Sequence, residues 1–182
     1  MGNGTNFAYV GSRYAVFTNG TGHSLAFAPY HVGVPQMAAS VTATQTVGAP
    51  TGAGFGVGCY RGTGASRIRY ELLVTVPGTW YVERSHGDGL GVQPTILRRG
   101  TSAIVPGASP ITVEGVCATL SDGRTTRLVL FANGQRLTDL TDAQAGLPGP
   151  GWLAALDVDS RKAVPTRVTA THFGIQNVAG QG

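Results

Sequence analysis

Almost every ordered-looking stretch of this chain follows the two-residue period of a β-strand. Arg67-Ile-Arg-Tyr-Glu-Leu-Leu-Val-Thr-Val76 puts Ile68, Tyr70, Leu72 and Val74 on one face. Pro77-Gly78 breaks the run, and Thr79-Trp-Tyr-Val-Glu-Arg84 resumes in the return direction, which predicts a hairpin. A second meander follows: a strand over 111–120, Ser121-Asp-Gly-Arg124, a strand over 125–132, then Asn133-Gly134 turning into Gln135-Arg-Leu137. Asp-Gly and Asn-Gly between apolar runs mark hairpins because both residues tolerate positive φ. Segments near 13–18, 24–28, 39–47, 151–157 and 164–175 also read as strands. Helical period is nearly absent; its best candidate is a turn at Leu140-Thr-Asp-Ala-Gln-Ala145, stopped by Gly146 and Pro148. About ten or more short strands at regular intervals predict an all-β fold, a two-sheet antiparallel sandwich. With no shift in composition and no repeat, residues 1–182 read as one domain with loose ends about 1–8 and 177–182.

The two cysteines both fall in strand runs. Cys59 lies in Gly54-Phe-Gly-Val-Gly-Cys-Tyr-Arg61 and Cys117 in Ile111-Thr-Val-Glu-Gly-Val-Cys-Ala-Thr-Leu120. An even count on two strands predicts one disulfide, Cys59–Cys117, stapling the sandwich. Such a bridge persists in oxidising compartments, so the chain is expected to be extracytoplasmic: secreted, a lipoprotein domain or an ectodomain. The alternative is a cytosolic protein with two reduced thiols. The N-terminal residues lack the basic and apolar regions of a signal peptide, so an exported form would be a mature domain or a fragment. No apolar run approaches the roughly 18–20 residues of a membrane helix, so the chain itself is not expected to insert into a membrane.

Charge excludes another class. The net charge of +4 comes from twelve arginines and Lys162, scattered as Arg67/Arg69, Arg98-Arg99 and Arg161-Lys162. A nucleic-acid domain concentrates its basic residues on one face, interleaved with aromatics, and no such stripe is visible. No nucleic-acid partner is expected.

Binding chemistry has three candidate sets. The first is the strand holding Cys59, where Gly54, Gly56 and Gly58 share one face and Phe55, Val57 and Cys59 the other. A bare strand face lets something large approach, either a ligand or a packed aromatic such as Trp80 or Trp152. The second set is aromatic and polar: Tyr60, Trp80, Tyr81 and Trp152 as platforms, with Arg84, His86 and Asp88 nearby. Alternation assigns Trp80 to the core and points Tyr81 and Glu83 outward. The third is Asp157-Val-Asp159, two carboxylates on one side of a strand end, a candidate for calcium, with Asp122, Asp139 and Asp142 in loops. The competing explanation is that Asp is a default turn residue. Zinc is not expected, because the cysteines are far apart. His23, His31, His86 and His172 offer imidazoles, yet no Gly-x-Ser-x-Gly elbow accompanies them. Asn3-Gly-Thr5 and Asn19-Gly-Thr21 have the form of glycosylation sequons, which also arise by chance in such loops.

The order of these motifs resembles concanavalin A-like jelly-roll domains, in particular the laminin-G-like and 3-keto-disaccharide-hydrolase-like branch of bacterial exported proteins. The residues carrying the resemblance are Gly56-Val-Gly-Cys-Tyr-Arg61, Tyr70-Glu-Leu-Leu-Val74, Gly78-Thr-Trp-Tyr-Val-Glu-Arg84, Val116-Cys117, Leu128-Val-Leu-Phe-Ala-Asn-Gly134, Asp142, Gly151-Trp-Leu153 and His172-Phe173. They cover most of residues 50–176. The resemblance implies two stacked antiparallel sheets and an extracytoplasmic recognition role, with relatives among carbohydrate-binding modules and kinase ectodomains. Related glucanases carry a Glu-x-Asp-x-x-Glu strand whose carboxylates act as nucleophile and acid. Here the glutamates are Glu71, Glu83 and Glu114, and Leu73, Ser85 and Val116 stand two places beyond them. That catalytic strand is missing.

The expectation is therefore a non-catalytic binding or sensing module for a carbohydrate or cell-envelope ligand, or a protein partner. Its candidate ligand residues are Gly54, Gly56, Gly58, Tyr60, Tyr81, Glu83, His86 and Asp88. A glycoside-processing enzyme and a virion or surface-layer assembly protein are the rival expectations.

Overall fold

A computed structural model describes residues 6–10, 13–18, 22–27, 34–47, 51–87, 93–144, 146–149, 151–160 and 166–178. Its strands are β1 (Asn6–Val10), β2 (Arg13–Thr18), β3 (Gly22–Phe27), β4 (Gln36–Val47), β5 (Ala53–Arg61), β6 (Ile68–Thr75) and β7 (Thr79–His86). They continue as β8 (Thr95–Thr101), β9 (Ile111–Thr119), β10 (Thr125–Ala132), β11 (Gln135–Ala143), β12 (Leu153–Ser160) and β13 (Thr166–Asn177). A single 3₁₀ turn, Gly64–Ser66, is the only helical element among the described residues. The strands form a seven-stranded sheet, β1-β2-β13-β4-β9-β10-β11, and a six-stranded sheet, β3-β12-β5-β6-β7-β8. All pairings are antiparallel.

The core lies between the sheets and is built by alternation. From the six-stranded sheet come Phe55, Val57 and Cys59, then Tyr70, Leu72 and Val74, then Trp80 and Val82, all buried. The seven-stranded sheet supplies Met37, Ala39 and Val41, Val113 and Cys117, and Leu128 and Leu130. Two glycines are needed for this packing. A Cβ on Gly115 would lie 2.3 Å from Cγ2 of Val57, and one on Gly100 would lie 2.3 Å from the Trp80 ring. Trp80 therefore packs on Gly100, not on the glycines of β5.

Cys59 on β5 and Cys117 on β9 are bonded across the sandwich, with Cα atoms 6.5 Å apart, and both are fully buried. The bridge closes a separation of 58 residues. Chain-entropy arguments assign such a loop about 4 kcal/mol. The hairpin turns follow their chemistry: Gly78 has φ 97° after a cis Val76–Pro77 bond, and Asn133 and Gly134 have φ 47° and 77°.

Three sequence expectations change. The stretch expected to make a helical turn, Leu140–Ala145, is strand through Ala143, because Leu140 pairs with Leu128 and packs on the core. The expected loose ends shrink: β1 begins at Asn6 by pairing with Phe17, and β13 runs to Asn177. Asp139 and Asp142 belong to β11 instead of loops, since β11 pairs with β10 along its whole length.

Candidate functional site

The outer face of the six-stranded sheet gathers most of the candidate residues. β5 runs through the middle of that sheet, between β12 and β6. Register places Asp159, Gly54 and Thr75 in one row, then Asp157, Gly56, Leu73 and Tyr81 in the next. A third row holds Ala155, Gly58, Glu71 and Glu83, and a fourth holds Leu153, Tyr60, Arg69 and Ser85. Directly opposed residues share a face, so all of these side chains point away from the core.

The glycines of β5 answer to their own sheet. A Cβ at Gly56 would stand 1.9 Å from the carbonyl oxygen of Leu72, and one at Gly54 2.1 Å from that of Val74. Both clashes are with the neighbouring backbone, which cannot swing aside. At Gly58 the obstacle is Tyr60, whose ring would be 2.6 Å from the added carbon. The aromatic that covers the bare face is thus Tyr60, two residues along the same strand, in place of Trp80 or Trp152. All of Ala53–Tyr60 is buried, so the three glycines do not form an open groove floor.

Around Tyr60 lies a compact polar group. Arg69 Nε donates to Ser85 Oγ at 2.8 Å and stands 3.1 Å from a Glu71 oxygen. Burial pushes the Tyr60 phenol well above its usual value, and the carboxylates of Asp157 and Glu71 push it further. Burial works against the Arg69 charge, but Glu71, Tyr60, Asp157 and Glu83 outweigh it and leave the guanidinium more basic than usual. Glu71 and Glu83 face each other in register and both are fully buried. Like charges so placed repel, and Arg69 supplies the compensating charge.

Exposure rises toward the β8 edge. Tyr81 is half-buried, and its register partner Arg99 is exposed, as is Ile96 opposite Glu83. Arg69 lay on the expected outward face of β6. Arg99 was hidden because Arg98-Arg99-Gly100 carries no alternation, so β8 gave no strand signal.

His86 sits apart from this group. It pairs with Ile68 on the core side of β7, at an exposed strand end. Asp88 lies outside the described residues, as does His31. Asp157 and Asp159 do share one face of β12, as expected, and are 0% and 1% exposed. Calcium takes about six to eight oxygens. No group of three or more His, Cys, Asp or Glu side chains among the described residues could hold a metal ion. Two carboxylates alone fall short of a calcium site. The remaining acids have structural work. Asp122 accepts hydrogen bonds from the amides of Arg124 and Thr125 and from the Thr125 hydroxyl, which pull its carboxyl down to about 2. Asp142 reaches between the sheets: Tyr70 donates to it at 2.7 Å and Arg84 Nη1 at 2.8 Å. Trp152 packs at 5.6 Å from Tyr70 beneath the Arg61 guanidinium, and its indole donates to Thr119.

The two stacked antiparallel sheets form a jelly-roll sandwich whose fold is that of lectin-like domains. Solved structures bear this out at low sequence identity. The legume lectin-like domain from Entamoeba histolytica superposes with a TM-score of 0.62 at 14% identity, over 96% of this chain and 88% of that one. The Emp47p carbohydrate recognition domain superposes with a TM-score of 0.58 at 10% identity, over 97% of this chain and 87% of that one. The alginate lyase Aly36B reaches 0.50 at 11% identity, over 91% of this chain and 80% of that one. No protein-family model matches the chain, and no curated protein matches it in sequence.

Proposed function

We propose that this protein is a non-catalytic carbohydrate-binding module of an oxidising, extracytoplasmic compartment. Its sugar seat is the β6–β8 side of the outer face of the six-stranded sheet. The observation that carries this is the accessible margin of that face, where Tyr81 on β7 pairs in register with exposed Arg99 on β8, backed by the buried polar residues Tyr60, Arg69, Glu71, Glu83 and Ser85. Every one of them can hydrogen-bond, and two are aromatic. The likeness of the fold to carbohydrate recognition domains supports the choice of ligand class, as fold analogy. Tyr81 and Arg99, at the accessible margin, meet the sugar first. Arg69, Glu71 and Glu83 hold the margin in place from behind. The Cys59–Cys117 bridge supports the compartment. A glycan array with the disulfide-intact protein tests the proposal: binding to at least one glycan, lost in Tyr81→Ala and weakened in Arg99→Ala, is the expected outcome.

Calcium enters this reading only if segments outside the described residues complete the set begun by Asp157 and Asp159. A melting curve in calcium and in EDTA tests that directly, and coincident curves would dismiss the ion.

One observation favours a catalytic alternative. Glu71 and Glu83 stand opposite each other on adjacent strands, where Cβ atoms lie about 4.5–5.5 Å apart, and retaining glycosidases work with a pair of carboxyl groups. Their complete burial and the Arg69 pairing argue for a structural role. Turnover of any array-positive glycan, abolished by Glu83→Gln, would reverse that preference.

A further inference from the structure

The outer face of the seven-stranded sheet carries a groove that the proposed sugar seat does not use. Its floor is made of short side chains: Ala38 on β4, Val116 on β9 and Val129 on β10, neighbours in register. Ala38 and Val129 are only 8% and 5% exposed although they point away from the core. Taller neighbours stand around them, Gln36, Glu114, Phe131, Arg136 and Gln176, and the difference in height leaves a depression of about 340 Å³. That volume is at the lower end of the range for small-ligand sites.

The rim has both signs of charge and is close to neutral overall. Arg127 is held by Asp139 through two hydrogen bonds of 3.0 and 2.6 Å, so its charge is spent. Arg136 stands 3.8 Å from the same carboxylate and remains exposed. Across the sheet, Phe131 lies between Glu114 on one side and Arg136 on the other. Glu114 accepts hydrogen bonds, Arg136 donates them, and the carboxamides of Gln36 and Gln176 do both. An ionic ligand of either sign meets a like charge here, and a purely aliphatic one makes no use of the rim.

A pyranose ring matches this arrangement. Its C–H face suits the Phe131 ring and the valine methyls, while its hydroxyls reach the carboxylate, guanidinium and amides around it. We propose that the groove is a second glycan site, taking one or two rings of a neutral sugar on the face opposite the six-stranded sheet. It stands independently of the seat on that sheet.

The test is an amide chemical-shift titration of the ¹⁵N-labelled, disulfide-intact protein with maltose, cellobiose and lactose at millimolar concentration. Saturable shifts at Ala38, Val116 and Val129 with at least one sugar are expected. Phe131→Ala should weaken that binding about tenfold. Val129→Arg should abolish it, while Tyr81→Ala on the other sheet leaves it intact. Glu114→Ala, at the rim, serves where Val129→Arg fails to give a folded spectrum, and should weaken binding about fivefold. The inference is overturned if no sugar moves the groove amides, or if only the Tyr60, Glu71 and Glu83 amides move. Shifts that persist in Val129→Arg overturn it, as do groove shifts that follow protein concentration instead of sugar.

Discussion

The two sheets present outer faces made by the same alternation, and the faces differ in almost every respect. On the seven-stranded sheet Ser40, Thr42, Thr112, Glu114 and Val116, outward on β4 and β9, are all partly exposed, and Ala38 between them is buried. On the six-stranded sheet the outward residues Tyr60, Arg69, Glu71, Glu83, Ser85, Asp157 and Asp159 are all buried. Glu71, Glu83, Asp157 and Asp159 are four of the nine acidic residues in the chain. Burying ionised groups is costly unless each is compensated, so a fold does not collect them on one face by default. Period-two patterning tells which side of a sheet a residue takes. It does not tell whether that side meets water.

The comparison can be broken or sharpened by perturbing each face in turn. The largest effect is expected at the staple between β5 and β9, whose outer faces are the two being compared. Reduction, or Cys59→Ala with Cys117→Ala, should cost about 4 kcal/mol, read as a lowered denaturation midpoint. Mass spectrometry should show the intact protein two hydrogens lighter than the reduced one.

Next comes Gly56→Ala, which forces a methyl against the Leu72 carbonyl. A loss of about 3 kcal/mol is expected. Ala118→Val on the opposite outer face should stay within about 0.5 kcal/mol. Equal costs would erase the distinction between a backbone-packed face and an open one. Glu71→Gln should then cost about 3 kcal/mol by leaving Arg69 short of its buried partner. Glu114→Gln on the seven-stranded sheet should be nearly neutral. Chemical denaturation of the four variants gives both contrasts.

The smallest effect is in the tyrosine titration. Burial raises the Tyr60 and Tyr70 phenols, helped by Asp157 and Glu71 at Tyr60 and by the hydrogen bond to Asp142 at Tyr70. The unfolded chain ionises both near pH 10 while the folded one keeps them neutral. Their contribution to stability is therefore complete below about pH 10 and is lost as the pH rises toward the folded values. In a near-ultraviolet absorbance titration, Tyr60 and Tyr70 should ionise only with unfolding. Tyr60→Phe and Tyr70→Phe should each remove one of them.

Much of the fold was legible because its strongest signals are local. Alternation in β6 and β7 placed Tyr70, Leu72, Val74, Trp80 and Val82 in the core. Asn133-Gly134 and Pro77-Gly78 marked their turns, and the cysteines found each other across the sandwich. Edge strands were harder. Among the described strands β8 bonds only to β7, and it carries Arg98-Arg99-Gly100, so its pattern is faint. Along β11, pairing shifts register opposite Leu130 and Phe131, which scrambles the alternation that would have extended the strand to Ala143. In the site, the face taken by Tyr81 and Glu83 could be read from period two. The burial of Glu83, the separation of His86 and the reach of Asp142 to Tyr70 and Arg84 depend on contacts distant in sequence, which no local pattern encodes.

The central claim is that the outer face of the six-stranded sheet is a sugar seat entered at Tyr81. The most direct measurement is glycan-array binding by the disulfide-intact protein beside Tyr81→Ala of verified fold. Binding to a defined glycan by the first and none by the second is predicted. A blank array for the intact protein, or a bound glycan indifferent to Tyr81→Ala, would contradict it.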